Sequence, residues 1–139
     1  ASYFYYPMYH SLLNREDQSE EPDHFNIFDE MLPKNDIGVY QKVYRYKVYE
    51  VSYWNNLLGE KLAGLMSEPE QFVNAYIDEL NKLGLHEQIR DDVGNNFVMQ
   101  YYNELPEEAV LILKSRYKEI VVNPKYLKEI ERVFQNVLP

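Results

Sequence analysis

The run from Asp36 to Leu58, DIGVYQKVYRYKVYEVSYWNNLL, is the densest concentration of Tyr and Val in the chain and holds its single Trp. Tyr and Val favour strands by propensity. Period favours a helix. At 100° per residue Ile37, Tyr40, Tyr44, Val48, Val51, Trp54 and Leu58 fall on one stripe, spaced by three and four. Tyr46, Tyr49, Tyr53 and Leu57 form a second stripe on the opposite side. Lys42, Arg45, Glu50, Ser52 and Asn56 fill the sectors between, and Lys47 intrudes on the first stripe, where its stem must snorkel. Strict alternation fails in both strand registers, and no turn dipeptide divides the run into a hairpin. The spacing therefore predicts one long helix over 36–58, apolar on two sides. Such a helix is buried between layers, or buries one side and offers the other to a partner. The Ile37–Trp54–Leu58 side is expected in the core.

The remaining segments supply helices to pack with it. Phe25, Phe28, Met31 and Leu32 mark a short helix after Asp23, stopped by Pro33. Asn35 or Asp36 caps the long helix, and Gly59 ends or kinks it, with Leu62, Leu65 and Met66 still in phase. Ser67-Glu68-Pro69-Glu70 reads as a capping box with Ser67 as N-cap. The helix after it turns Phe72, Val73, Tyr76, Ile77, Leu80 and Leu83 inward, and Gly84 stands where a left-handed C-cap is expected. A short helix over 86–92, a break at Gly94-Asn95-Asn96 and a helix from Phe97 to about Glu104 come next. Pro106 opens another, with Val110, Leu113, Tyr117, Ile120 and Val121 inward. Asn123 and Pro124 start the last as N-cap and N1, burying Leu127, Ile130, Phe134, Val137 and Leu138. The expected fold is all-α, a single compact domain (1–139) of about six helices packed around the helix near 36–58. An aromatic N-terminal arm (1–9) and an acidic loop (14–23) flank the body.

Charge and composition exclude several function classes. The 139 residues carry a net charge of −9. The segment 10–36 and the segment 67–104 each hold eight acids against two bases. Nucleic-acid affinity comes largely from basic groups meeting phosphates, so a nucleic-acid partner is disfavoured. A helix-turn-helix reading of 68–92 fails for the same reason, since its second helix offers Glu87, Asp91 and Asp92 with only Arg90 positive. Cys is absent, which removes disulfides, thiolate metal sites and cysteine nucleophiles. No apolar run approaches the roughly 18 residues of a membrane span. The opening ASYFYYPMYH has neither a basic region nor a long apolar stretch, so it does not read as a retained signal peptide. The cytoplasm is the default compartment.

No catalytic, cofactor-binding or metal-binding constellation emerges. Glycine-rich phosphate motifs are absent, Thr is missing altogether, and none of the six serines lies in a G-x-S-x-G elbow. Glu21 and His24 match E-x-x-H, but Pro22 interrupts the pair and no second copy exists. His86 with Glu87, Asp91 and Asp92 reads as the polar face of a short helix. No cofactor is expected.

What stands out is Tyr, 14 residues of it. Tyr offers a large apolar ring with a polar tip and suits interfaces. The candidate partner-binding residues are Tyr3, Phe4, Tyr5, Tyr6 and Tyr9 in the arm, and Tyr46, Tyr49 and Tyr53 on the second stripe. The expected function is an acidic helical protein–protein interaction module: an adaptor, an inhibitor or an immunity-type protein that covers a basic surface. A subunit of a larger assembly, self-associated or not, is the alternative. An enzyme whose carboxylates or His assemble only in the fold is the third, with no enzymatic role favoured.

Overall fold

The computed structural model describes residues 33–138. The arm with Tyr3, Phe4, Tyr5, Tyr6 and Tyr9, the acidic loop, the E-x-x-H pair and the expected helix before Pro33 lie outside the described residues. Among the described residues there are six α-helices, two 3-10 turns and no strand: α1 (Ile37–Lys42), α2 (Tyr44–Lys61), α3 (Pro69–Lys82), α4 (Glu87–Tyr101), α5 (Glu107–Arg116) and α6 (Pro124–Val137), with 3-10 turns at Ala63–Leu65 and Tyr117–Glu119. The all-α class holds. The chain divides into two units between Glu50 and Val51.

In the first unit, Asn35 takes the left-handed conformation (φ 58°), which Asn tolerates better than most residues. Its N–H donates to Glu50 Oε2 at 3.0 Å. Asp36 is the N-cap, and its Oδ1 accepts from the N–H groups of Gly38 and Val39. The long helix read from sequence is in fact two. Val43 is extended (φ −130°, ψ 115°) and separates α1 from α2. Its carbonyl then accepts from Tyr46 and Lys47 N–H and starts the next helix. An extended residue breaks the 100° phase, so residues on either side no longer share a stripe. Tyr40 is fully buried while Tyr44, assigned to the same stripe, is 79% exposed and Val48 50%. The expectation that this whole face enters the core is corrected accordingly. Tyr46 and the Glu50 side chain are buried instead. Lys47 lies with its Nζ 5.8 Å from the centre of the Tyr40 ring, a cation–π contact made along the snorkelling stem.

In the second unit α2 runs on through Gly59 to Lys61, and its buried residues there are Leu58 and, just beyond, Leu62. Gly59 meets nothing within 4 Å and neither ends nor kinks the helix. The helix with the most extensive packing is α3, which meets α5 chiefly, and also α4 and both 3-10 turns. Phe72, Val73, Tyr76, Ile77 and Leu80 form its buried face; Leu83 is half-buried. Each large apolar side chain taken fully out of water contributes about 1.5–3 kcal/mol. The N-cap of α3 is Glu68, with no side-chain cap bond, where the sequence suggested Ser67. The reason is Pro69. Ser67 as N-cap would require Glu68 to be helical, and a residue preceding Pro is pushed out of the α region. Glu68 sits at φ −127°, ψ 79°, and Pro69 takes N1. At the other end Leu83 is the C-cap and Gly84 follows at φ +66°, the left-handed stop expected there.

The break expected at Gly94-Asn95-Asn96 does not occur. A single helix, α4, spans Glu87–Tyr101, with His86 as N-cap accepting from Gln88 N–H through Nδ1. Gly94 is buried mid-helix, and a Cβ there would stand 2.8 Å from the Ile120 carbonyl oxygen and 3.1 Å from a Val121 methyl. The glycine serves close approach between backbones rather than a turn. Asp91, also buried, accepts from Val122 N–H at 2.7 Å, and Asp92 accepts from the Tyr126 hydroxyl. These contacts fix the Ile120–Asn123 segment on α4. Asn123 caps α6 by accepting from Lys125 N–H at 2.9 Å, and Pro124 stands at N1, as the sequence indicates. Ile130 and Phe134 are buried, and Leu127, Val137 and Leu138 half-buried.

A candidate partner-binding cleft

Behind one end of the second unit lies a cluster of four aromatic rings. Tyr76 of α3 stacks on Phe97 of α4 with centroids 3.6 Å apart and planes 7° from parallel. Phe72 meets Tyr101 edge-on at 5.6 Å, and Phe97 meets Tyr101 at 5.0 Å. The Tyr76 hydroxyl donates to Asn55 Oδ1 of α2. Asn55 in turn donates from Nδ2 to Asn96 Oδ1 and to the Val51 carbonyl, both at 3.1 Å. Burial, then the nearby Tyr101, pushes the Tyr76 phenol far above its ordinary range, so it stays a donor. The cluster is thus held by hydrogen bonds through Tyr76, with Phe72 buried and Tyr101 half-buried.

In front of those two rings is a cleft of about 200 Å³. It is lined by Met66, Pro69, Phe72, Tyr101, Glu104, Leu105 and Pro106. Three separate stretches converge there: the approach to α3 and its first turn, the end of α4, and the entry to α5. Both helix starts are marked by Pro, because a helix beginning tolerates the missing N–H. The acids follow from the same helix-start logic, since Glu beside an N-terminus complements the positive end of the dipole. Glu68 and Glu70 flank Pro69, Glu107 and Glu108 follow Pro106, and Glu104 lines the cleft itself; all five are exposed. No Lys, Arg or His lies within two residues in sequence of any lining residue. Burial, then the Glu104 carboxylate, raises the Tyr101 phenol, so its hydroxyl is a neutral donor at the site.

Three cations of the same unit are paired elsewhere. Arg116 reaches from α5 to Asp78 at 2.7 Å, to Asn74 Oδ1 at 2.8 Å and to both oxygens of Glu119. Lys61 and Lys82 both bond Glu79.

The cleft is smaller than the roughly 300–1,000 Å³ of small-molecule sites. Its lining is mixed: most of the lining side chains are apolar, and polar groups, the Glu104 carboxylate among them, supply a substantial share of the surface. Among the described residues no group of three or more His, Asp or Glu could hold a metal. His86 is occupied as a helix cap. No helix among the described residues is long and apolar enough to cross a membrane.

Of the residues singled out from sequence, Tyr46 is 5% exposed, and Tyr49 and Tyr53 are half-buried. Tyr53 packs edge-on against Trp54 at 4.9 Å. The cleft residues were read from sequence as core positions or helix punctuation. One signal did point to them: two acidic, Pro-led helix starts, SEPE and LPEE. No protein-family model matches the chain, and no curated protein or solved structure shows a significant similarity to it.

Proposed function

We propose that the chain is an acidic helical protein-binding module whose partner presents a basic surface. The observation that supports this reading is the cleft, a concavity lined by Phe72, Tyr101 and the Glu104 carboxylate, with four further exposed Glu residues within two residues in sequence of its lining. Interfaces take their affinity from a few apolar anchors in desolvated pockets. Charge around the pocket selects the partner and speeds encounter. The half-buried and buried state of Tyr46, Tyr49 and Tyr53 favours the cleft over the tyrosine stripe as the first surface to test. Among the described residues no ion pair involves Glu104, which lines the cleft, or Glu107 and Glu108, which follow it in sequence.

Affinity capture with the full chain tests the reading. Wild type and a Glu104→Lys, Glu107→Lys, Glu108→Lys variant are compared at low and high salt. The expected result is a stoichiometric basic partner, captured by wild type, lost on charge reversal and weakened by salt. A partner retained equally by the reversed variant, or no stoichiometric partner at all, removes the reading.

A further inference from the structure

The cleft carries a more specific inference, which rests on the reading just given. We infer that it receives a single large apolar side chain from a linear basic segment of a partner protein, with Lys or Arg on either side of that anchor. Three observations carry it. First, the volume, about 200 Å³, is enough for one large side chain of the size of Leu to Phe; an apolar cavity of roughly 150 Å³ accepts a benzene ring. Second, six of the seven lining residues offer apolar or aromatic surface to an anchor: the Met66 thioether, two prolines, Leu105, and the rings of Phe72 and Tyr101. Aromatic rings meet such walls favourably through edge contacts and sulfur contacts. Third, exposed acids accompany the lining residues along the chain. Glu104 lines the cleft, and the exposed Glu68, Glu70, Glu107 and Glu108 lie within two residues in sequence of the lining residues Pro69 and Pro106. Bases flanking the anchor answer that arrangement, and acids there are repelled.

The floor is held ready for this. Phe72 is 2% exposed and Phe97 fully buried, and both pack in the ring cluster pinned through Tyr76 to Asn55. A preformed floor lowers the ordering cost of binding. Met66, 51% exposed at the rim, is the lining residue best able to adjust, since its unbranched chain adapts to irregular neighbours.

Synthetic peptides test the inference on the full chain. The probes are acetylated, amidated Lys-Arg-Phe-Arg-Lys, its Ala analogue Lys-Arg-Ala-Arg-Lys, and the acidic Glu-Asp-Phe-Asp-Glu. Binding is followed by NMR with backbone and aromatic side-chain resonances assigned. The expected result is that the Phe peptide binds at least tenfold more tightly than the Ala peptide, with the largest shifts at Met66, Phe72, Tyr101 and Leu105. The acidic peptide should produce no shifts there. Equal affinity for the Phe and Ala peptides overturns the anchor and leaves the basic-partner reading standing. Shifts centred away from the cleft overturn the anchor site in the same way. No binding of either basic peptide, or binding of the acidic one, overturns both.

Discussion

Gly94 of α4 lies against the backbone of Ile120: a Cβ on Gly94 would stand 2.8 Å from the Ile120 carbonyl oxygen. Helix propensity alone favours Gly94→Ala by about 1 kcal/mol. Overpacking against a rigid carbonyl opposes it by about 1–3 kcal/mol, and at 2.8 Å the clash wins. Denaturant unfolding should show Gly94→Ala destabilised by about 1–2 kcal/mol. A neutral or stabilised variant would mean that α4 and the Ile120 segment are not this close.

Gly59 gives the opposite prediction by the same reasoning. It lies inside α2 with nothing within 4 Å of an added Cβ. Gly59→Ala should stabilise the protein by about 0.5–1 kcal/mol, read as a raised melting temperature. A loss of stability would contradict a continuous helix through that position.

Asp91 joins α4 to the start of α6 by accepting from Val122 N–H. Asp91→Ala leaves that donor without its carboxylate and should cost about 1–3 kcal/mol. Burial raises the Asp91 carboxyl above its ordinary range, opposed by its backbone hydrogen bonds and by Arg90. The sign follows from linkage. With the folded pKa above the unfolded one, the native state binds more protons between the two values, so Asp91's contribution favours folding less as pH rises through that window. Asp91→Asn keeps an acceptor oxygen and removes the titration. Its stability relative to wild type should therefore increase with pH across the range just above the ordinary Asp pKa. A difference that stays flat or falls would contradict the raised pKa.

The Tyr76 hydroxyl ties α3 to Asn55 of α2, and Asn55 in turn donates to Asn96 of α4. Tyr76→Phe keeps the stack on Phe97 and deprives Asn55 of its donor. The expected cost is about 1 kcal/mol, with the aromatic resonances of Phe72 and Tyr101 shifted. An unchanged stability with unchanged ring resonances would show that the hydroxyl does not hold the cleft's floor.

Much of this architecture is legible in the sequence because it is written in local chemistry. Gly84 and Asn123-Pro124 mark their helix ends by mechanisms that need no tertiary contact, and both stand where expected. The buried face of α3 follows from spacing alone; in α5 Val110 and Leu113 do, but the helix read on to Val121 ends at Arg116 and passes into a 3-10 turn. What escapes is set by distant partners or by competing local rules. Val43 carries no break signal, since an extended valine and a helical one look alike in a Tyr- and Val-rich run. Gly94-Asn95-Asn96 has the composition of a turn, and only the approach of Ile120 explains a glycine inside a helix. Ser67 loses the cap to Glu68 through the restriction Pro69 places on its predecessor. The cleft draws its walls from three stretches, so no single window of sequence contains it.

The most direct test of the account is the affinity of the captured partner for wild type and for Leu105→Trp, measured by titration calorimetry beside thermal melts of both proteins. Leu105 is half-buried in the cleft wall, and an indole there fills the space meant for the partner's anchor. The predicted result is an affinity at least tenfold weaker, equivalent to about 1.4 kcal/mol or more, with the melting temperature little changed. Wild-type affinity in a folded Leu105→Trp protein would contradict the central claim that the cleft is the binding surface.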